Sequence, residues 1–154
     1  MIGLLLIAHA PLASALATAA AHVYACAPER ASEQLRSFDL LPDSDQQANL
    51  ALARSLLHDV DAGSGVLVLT DTLGASPGNV AAQLAQPGRV AVIAGVNLPM
   101  LLRALCYRDG TLAETVEKAL AGGTQGVMTV ASTAVQHQGV RPPGDDLARI
   151  HDQQ

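Results

Sequence analysis

The residues best suited to chemistry are a histidine and an aspartate that each follow a short apolar run. His9 comes directly after IGLLLIA, and Asp71 comes directly after GVLVLT. A neutral imidazole has a free lone pair on one ring nitrogen. A carboxylate that accepts the N–H of the other ring nitrogen sets the tautomer and makes the free nitrogen a better nucleophile. The spacing therefore indicates a histidine nucleophile oriented by an aspartate, provided that the two runs are neighbouring strands.

The segment DTLGASPGN, which begins at Asp71, adds groups that suit an anion. Gly74 permits dihedral angles that let successive N–H groups converge, and Ser76-Pro77 predicts a helix start with Ser76 as its N-cap. The N-terminus of that helix would carry a partial positive charge. We therefore expect a phosphate beside His9, bound by Thr72, Gly74, Ala75 and Ser76. A tight turn and a helix cap would explain the glycine, serine and proline equally well, and His9 could then be purely structural.

Short apolar runs predict the strands that carry these residues. Ile2–Ala8, Gly65–Thr70 and Arg89–Ala94 are apolar on both faces, which is typical of parallel strands covered by helices on both sides. Weaker candidates are Gln34–Leu40 and Gly126–Ser132. Ligands bind beyond the carboxyl ends of the strands in such sheets, where the candidate histidine and aspartate fall.

Helical patterns separate the strands. The sequence predicts one helix from Pro11, in the first turn, to Pro28, and another from Ser76 to about Gln86. Further start signals are a capping box at Ser44 and Gln47, an N-cap at Asn97, and a capping box at Thr111 and Glu114. Strands and helices alternate, so we expect an α/β fold with a doubly wound, mostly parallel sheet and helices on both faces.

The composition narrows the class of protein. The chain has 154 residues, 49% of them hydrophobic but only 2% aromatic, so one domain with an aliphatic core is expected. We assign it to residues 1–135, followed by a poorly ordered tail at 136–154 that contains Pro142-Pro143-Gly144. The formal net charge of −5 gives nucleic acid no electrostatic reason to bind.

A few further residues bear on the cellular location of the protein and on its need for a cofactor. Cys26 and Cys106 are too few for a disulfide scaffold and fit free thiols in a reducing cytoplasm. The apolar N-terminus lacks the basic start of a signal peptide and is interrupted by His9 and Pro11. No run of roughly 20 apolar residues predicts a membrane span. The other histidines have no metal spacing, and neither a metal nor an organic cofactor is expected.

Three segments resemble enzyme IIA of the mannose-family phosphoenolpyruvate-dependent sugar phosphotransferase system. They are IGLLLIAHAPLASAL, DTLGASPGN and VAVIAGVNLPMLLRAL, within which GVNLPML is the most specific part. They occur in the family's order, and the likeness runs from Met1 to about Ser132.

This resemblance implies a function and an assembly. His9 would be the phosphorylation site, and Asp71 the aspartate that hydrogen-bonds to it. The phosphoryl donor would be HPr, and the acceptor a IIB component on a separate chain, either in carbohydrate uptake or in a regulatory phosphorelay. The family also implies a homodimer, in which one antiparallel C-terminal strand, here around Gly126–Ser132, pairs with the partner's sheet.

The sequence departs from the mannose-specific pattern at three positions. Leu73 stands where tryptophan is frequent, Ala75 where glycine is common, and Gly78 where phenylalanine is usual. These departures bear on sugar specificity rather than on phosphoryl chemistry.

Three alternatives remain open. The first is a flavodoxin-like or nucleotide-binding domain, although its phosphate loop would be His9-Ala10-Pro11, which has no glycine. The second is the phosphocarrier subunit of dihydroxyacetone kinase, which the DTLGASPGN loop fits less well. The third is a binding module with a structural histidine.

Overall fold

The computed structural model describes residues 1–25 and 32–130. The strands are β1 Gly3–His9, β2 Leu35–Leu40, β3 Val66–Thr70 and β4 Val90–Ala94. Their order across the sheet is β2-β1-β3-β4, and every neighbouring pair is parallel. The predicted α/β fold with a parallel sheet is confirmed. The carboxyl ends of all four strands form one edge, termed the carboxyl edge, and their beginnings form the amino edge.

Helices cover both faces of the sheet. As a consequence, β1 and β3 are buried along their whole length apart from His9. The helices are α1 Leu12–Val23, α2 Gln46–Val60, α3 Ser76–Ala82, α4 Leu98–Tyr107 and α5 Leu112–Gln125. On one face, Leu4 and Leu6 of β1 pack with α1, α4 and α5. On the other face, Leu5 and Ile7 pack with α2 and α3. His9 continues the Leu5–Ile7 alternation, so it belongs to the α2–α3 side.

Two predicted helix starts are confirmed. Asn97 caps α4, since its side-chain oxygen accepts from the Met100 backbone N–H at 2.9 Å. Thr111 and Glu114 form the predicted reciprocal capping box at the start of α5. Both caps are local patterns, which explains why the sequence alone reveals them.

Two other predicted starts are wrong in detail. The capping box at Ser44 and Gln47 does not form, because Asp45 is the N-cap of α2 and accepts from the Ala48 backbone N–H at 2.7 Å. The Ser44 hydroxyl instead donates to the Leu41 carbonyl. At α3 the N-cap position belongs to Ala75, so Ser76 is the first helical residue and its side chain caps nothing.

Two helices are also shorter than predicted. Helix α1 begins after Pro11 and ends at Val23, and Pro28 lies outside the described residues. Helix α3 ends at Ala82 instead of Gln86. The reason is that Gln86 and Val90 exchange backbone hydrogen bonds in an isolated antiparallel bridge, which turns the chain into β4.

The C-terminal strand predicted at Gly126–Ser132 is not formed within the described residues. Gly126 caps the end of α5, and residues 127–130 are exposed and unpaired with the sheet. Residues 131–154, which include the predicted tail, lie outside the described residues. The antiparallel strand and the domain boundary at residue 135 therefore stay predictions. None of the described helices is long and apolar enough to cross a membrane.

Candidate functional site

The carboxyl edge brings His9 and Asp71 into direct contact. His9 is the last residue of β1, Asp71 follows β3, and the two strands pair with Ile7 opposite Thr70. The His9 ring nitrogen Nδ1 lies 2.7 Å from Oδ2 of Asp71. The same oxygen accepts from the His9 backbone N–H at 2.8 Å. One carboxylate oxygen therefore fixes both the backbone and the ring of the histidine.

The surroundings of the Asp71 carboxylate favour its ionised form. Burial raises the pKa of this carboxyl, but hydrogen bonds from the His9 backbone N–H, the His9 ring and the Thr72 backbone N–H lower it by more, so the pKa lies below its usual value. The Thr72 bond, to the second oxygen Oδ1, is 2.7 Å long. An ionised carboxylate can only accept, so the proton between the two side chains lies on Nδ1 of His9.

The remaining ring nitrogen of His9, Nε2, faces a different environment. The His9 side chain is 55% exposed, whereas the Asp71 side chain is 11% exposed. Among the described residues Nε2 has no hydrogen-bond partner. With the proton held on Nδ1, Nε2 carries the free lone pair. The exposed side of the histidine is thus the nucleophilic side.

The loop after Asp71 approaches α3 closely. Gly74 has a φ of +83°, in the left-handed region that favours glycine, and Leu73 beside it is 83% exposed at the tip. A side-chain carbon at Gly78 would lie 2.5 Å from the Thr72 carbonyl oxygen. The absence of a side chain at Gly78 therefore lets the first turn of α3 pack on the loop.

A cavity of about 490 Å³ opens beside His9 on the α2–α3 side of the sheet. Its lining comes from the ends of β1 and β2, the start of α2 and the start of α3, and includes Leu41, Ser44, Asn49, Ser76 and Asn79. Of the four predicted phosphate-binding residues, Ser76 lines this cavity, and Thr72, Gly74 and Ala75 do not.

Sequence reasoning missed the contribution of the segment after β2. Leu41, Ser44 and Asn49 reach the cavity because β2 lies beside β1 and ends at the same edge. The available signal was the rule that all strand ends of a parallel sheet meet there. Applying it to β2 would have added residues 41–44 to the candidate list.

A second carboxylate, which lies opposite the residue before His9, was also missed. Asp39 of β2 accepts from the backbone N–H groups of Ala13 at 2.8 Å and Ser14 at 3.2 Å, in the first turn of α1.

Asn97, at the end of β4, donates its side-chain amide to the Gly123 carbonyl, and so joins α4 to α5. No cluster of three or more histidine, cysteine, aspartate or glutamate side chains suited to a metal ion occurs in residues 1–25 and 32–130.

Comparisons with known proteins agree on one family. The family model for the PTS system fructose IIA component, EIIA-man, matches residues 3–120. The chain is 32% identical over 113 residues to the mannose-specific EIIAB component of the PTS system from Escherichia coli (strain K12). That match covers 71% of this chain and 35% of the relative, so the chain spans about a third of the length of the curated relative. A shorter match, 43% identical over 54 residues, covers 34% of this chain and 37% of the putative phosphotransferase enzyme IIA component YadI, also from Escherichia coli (strain K12).

Solved structures share the fold. Phosphotransferase system component EIIA from Streptococcus agalactiae superimposes with a TM-score of 0.72 at 22% identity, over 84% of this chain and 97% of that one. The mannose/sorbose-specific IIA subunit from Enterococcus faecalis gives a TM-score of 0.72 at 22% identity, over 84% and 95%.

Proposed function

The chain belongs to the mannose-type family of PTS IIA components, and we propose that it is a phosphocarrier that accepts a phosphoryl group on His9. Phospho-HPr is the donor in this proposal. The acceptor is a IIB component in carbohydrate uptake, or a regulatory phosphorelay. Transfer takes place in the cytoplasm.

The observation that carries the proposal is the contact between His9 and Asp71. Nδ1 lies 2.7 Å from the carboxylate, and the ring is more than half exposed. One ring nitrogen is therefore anchored and the other is open. A protein that exchanges a phosphoryl group with another protein needs this combination, because the partner must reach the nucleophile.

The proposed transfer exchanges one N–P bond for another and requires little proton movement. The Nε2–P bond of His9 forms while the N–P bond of the donor's phosphohistidine breaks, and the reverse exchange loads the acceptor. Asp71 holds the proton on Nδ1, so no proton has to leave Nε2. It also balances the positive charge that the ring acquires as the bond forms. Alignment and charge stabilisation supply most of the catalysis in such reactions.

We assign the phosphate-binding role to Thr72, Gly74, Ala75 and Ser76. The left-handed Gly74 supports this role, because it turns the loop beside the aspartate that binds His9. Ser76 supports it more directly, since both Ser76 and His9 line the cavity. The scheme uses no metal and no organic cofactor.

The homodimer is a separate part of the proposal. Strand β4 lies at the end of the sheet order and pairs only with β3 within the described residues. Val127, Met128 and Val130 follow α5 and are 75%, 73% and 93% exposed. An unpaired strand edge and an exposed apolar segment suit each other. We therefore retain the antiparallel pairing of Gly126–Ser132 with the partner's sheet.

Labelled phosphoenolpyruvate, enzyme I and HPr test the phosphocarrier role directly. We expect the purified protein to become labelled, and the label to be lost in acid and to survive base, as a phosphohistidine does. His9→Ala should take up no label, because the attacking nitrogen is gone.

His58→Ala is the matched control. His58 is also exposed but lies near the end of α2, at the amino edge, so its replacement should leave labelling unchanged. Full labelling of His9→Ala would overturn the assignment of the site. No labelling of the wild-type protein, with HPr itself phosphorylated, would favour a binding module with this fold.

A further inference from the structure

The start of α1 is held by a residue from another strand. Asp39 lies on β2, where it pairs with Ala8 of β1, and one of its carboxylate oxygens accepts from two successive N–H groups of α1. These groups belong to Ala13 and Ser14, which are 26 and 25 residues away in sequence. The contact is therefore tertiary, although it satisfies the same groups as an ordinary helix cap.

This contact takes the place of a local cap, because helix α1 has none of its own. Pro11 occupies its N-cap position and makes no side-chain capping hydrogen bond. Asp45 and Thr111, by contrast, cap α2 and α5 from the adjacent residue. A carboxylate at the first turn satisfies free N–H groups and interacts favourably with the helix dipole.

The contact bears on His9 because only two residues separate His9 from α1. The Ala10 backbone N–H donates to the Leu40 carbonyl of β2 at 3.0 Å. Asp39, the preceding residue of β2, holds the first turn of α1. Asp71, which follows β3 on the other side of β1, holds His9 itself. His9, the last residue of β1, is thus held from the β3 side, and the connection that follows it is held from the β2 side.

We infer that Asp39 is a positioning residue for His9. By fixing the first turn of α1, it limits the motion of the connection and keeps the imidazole aligned with Asp71. This inference rests on the proposed phosphocarrier function, and it adds a second carboxylate to the reaction without contact to the phosphoryl group. Small errors in the alignment of a nucleophile are costly, since a displacement of about 1 Å lowers a rate by roughly two orders of magnitude.

Asp39→Ala tests the inference. We expect the maximal rate of phosphoryl transfer from phospho-HPr to fall about tenfold, while the donor concentration that gives the half-maximal rate stays unchanged. The His9 ring resonances in ¹H–¹⁵N NMR spectra should shift toward a mixture of tautomers, because the bond from Nδ1–H to Asp71 is less well aligned. The NMR readout needs no phosphoryl transfer.

Two further variants separate positioning from stability. Thr111→Ala removes the local cap at the start of α5, which adjoins the amino edge. It should lower the stability of the fold but leave the rate and the His9 resonances unchanged. Asp39→Asn retains an acceptor oxygen without the charge, so it should restore most of the rate and remain about two- to threefold below the wild type.

Each outcome has a defined meaning. Wild-type rates and unaltered His9 resonances in Asp39→Ala would overturn the inference, and the labelled wild type would show that the phosphocarrier function still stands. An equal loss of rate in Thr111→Ala would also overturn it, since general destabilisation would then be sufficient. If Asp39→Ala does not fold, Asp39→Asn decides alone, and a rate equal to that of the wild type contradicts the inference.

Discussion

The two edges of the sheet use their polar side chains in opposite ways. At the carboxyl edge the His9 side chain is 55% exposed and one of its ring nitrogens has no hydrogen-bond partner among the described residues. At the amino edge the Arg108 side chain is completely buried. Its Nη1 donates to the Glu33 carbonyl at 2.5 Å, and its backbone carbonyl accepts from the Ile2 N–H at 2.7 Å.

This difference indicates that the two ends of the same strands have different roles, with the amino edge contributing to stability and the carboxyl edge to the proposed function. Arg108 joins the approaches to β1 and β2, so its polar atoms serve the fold. Asp71 fixes the His9 ring and leaves Nε2 open, so in the proposed function the polar atoms there serve a partner. Substitutions at the amino edge should therefore affect unfolding, and substitutions at the carboxyl edge should affect phosphoryl transfer.

Arg108→Ala should have the largest effect on stability. It leaves a large cavity and deprives the Glu33 carbonyl of its donor, which together cost about 4 kcal/mol in the free energy of unfolding. Urea unfolding followed by circular dichroism measures this. The rate of phosphorylation per folded molecule should not change.

Arg103→Ala is the matched control for Arg108→Ala. Arg103 lies on α4 but is exposed, with its guanidinium 6.0 Å from the Tyr107 ring centre. Its loss should cost about 0.5–1 kcal/mol. Equal destabilisation by the two variants would contradict the structural role of Arg108.

Asp71→Asn should have the largest effect on transfer among substitutions that keep the nucleophile. The amide cannot balance the charge on the phosphorylated ring, so we expect the rate to fall roughly 100-fold. Rapid-quench measurement with phospho-HPr gives the rate. Asp61→Asn is the control, because Asp61 is paired with Arg89 at 2.6 Å near the amino edge and should leave the rate unchanged. A rate within twofold of the wild type for Asp71→Asn would remove the aspartate from the mechanism.

Two glycines provide a matched pair across the edges. A side-chain carbon at Gly78 would crowd the Thr72 carbonyl, and one at Gly3 would crowd the Val60 carbonyl. Each alanine variant should lose about 2 kcal/mol of stability. Only Gly78→Ala should also slow phosphoryl transfer by the folded protein, because the loop after Asp71 must move. Slower phosphoryl transfer by fully folded Gly3→Ala protein would contradict the proposed division of roles between the two edges.

The central strands were predictable from sequence because they carry apolar residues on both faces. IGLLLIA, GVLVLT and RVAVIA gave bounds within two residues of β1, β3 and β4. The meeting of His9 and Asp71 was predicted on the condition that their strands are neighbours, and the pairing of β1 with β3 meets that condition. The capping box at Thr111 and Glu114 was equally accessible, because both of its hydrogen bonds connect residues three positions apart.

Other features depend on contacts that no local pattern encodes. Ser44 and Asp45 are both good helix caps, and only the path of the chain after β2 selects Asp45. The hydrogen bonds between Asp39 and α1 connect two separate elements, so the spacing of residues in the sequence does not indicate them. The early end of α3 follows from the bridge between Gln86 and Val90, which is also a tertiary feature.

The smallest predicted effect is a dependence of stability on pH that belongs to the carboxyl edge. The pKa of Asp71 is lowered in the folded protein from 3.8, because its hydrogen bonds outweigh the effect of burial. Its stabilising contribution is therefore complete above the unfolded pKa and is lost as the pH falls through the folded pKa. Urea unfolding of the wild type and of Asp71→Asn should show a stability difference at about pH 7 that shrinks at about pH 3. A difference that is the same at both values would mean that the charge of Asp71 contributes nothing to the fold, and that its hydrogen bonds to His9 serve the reaction alone.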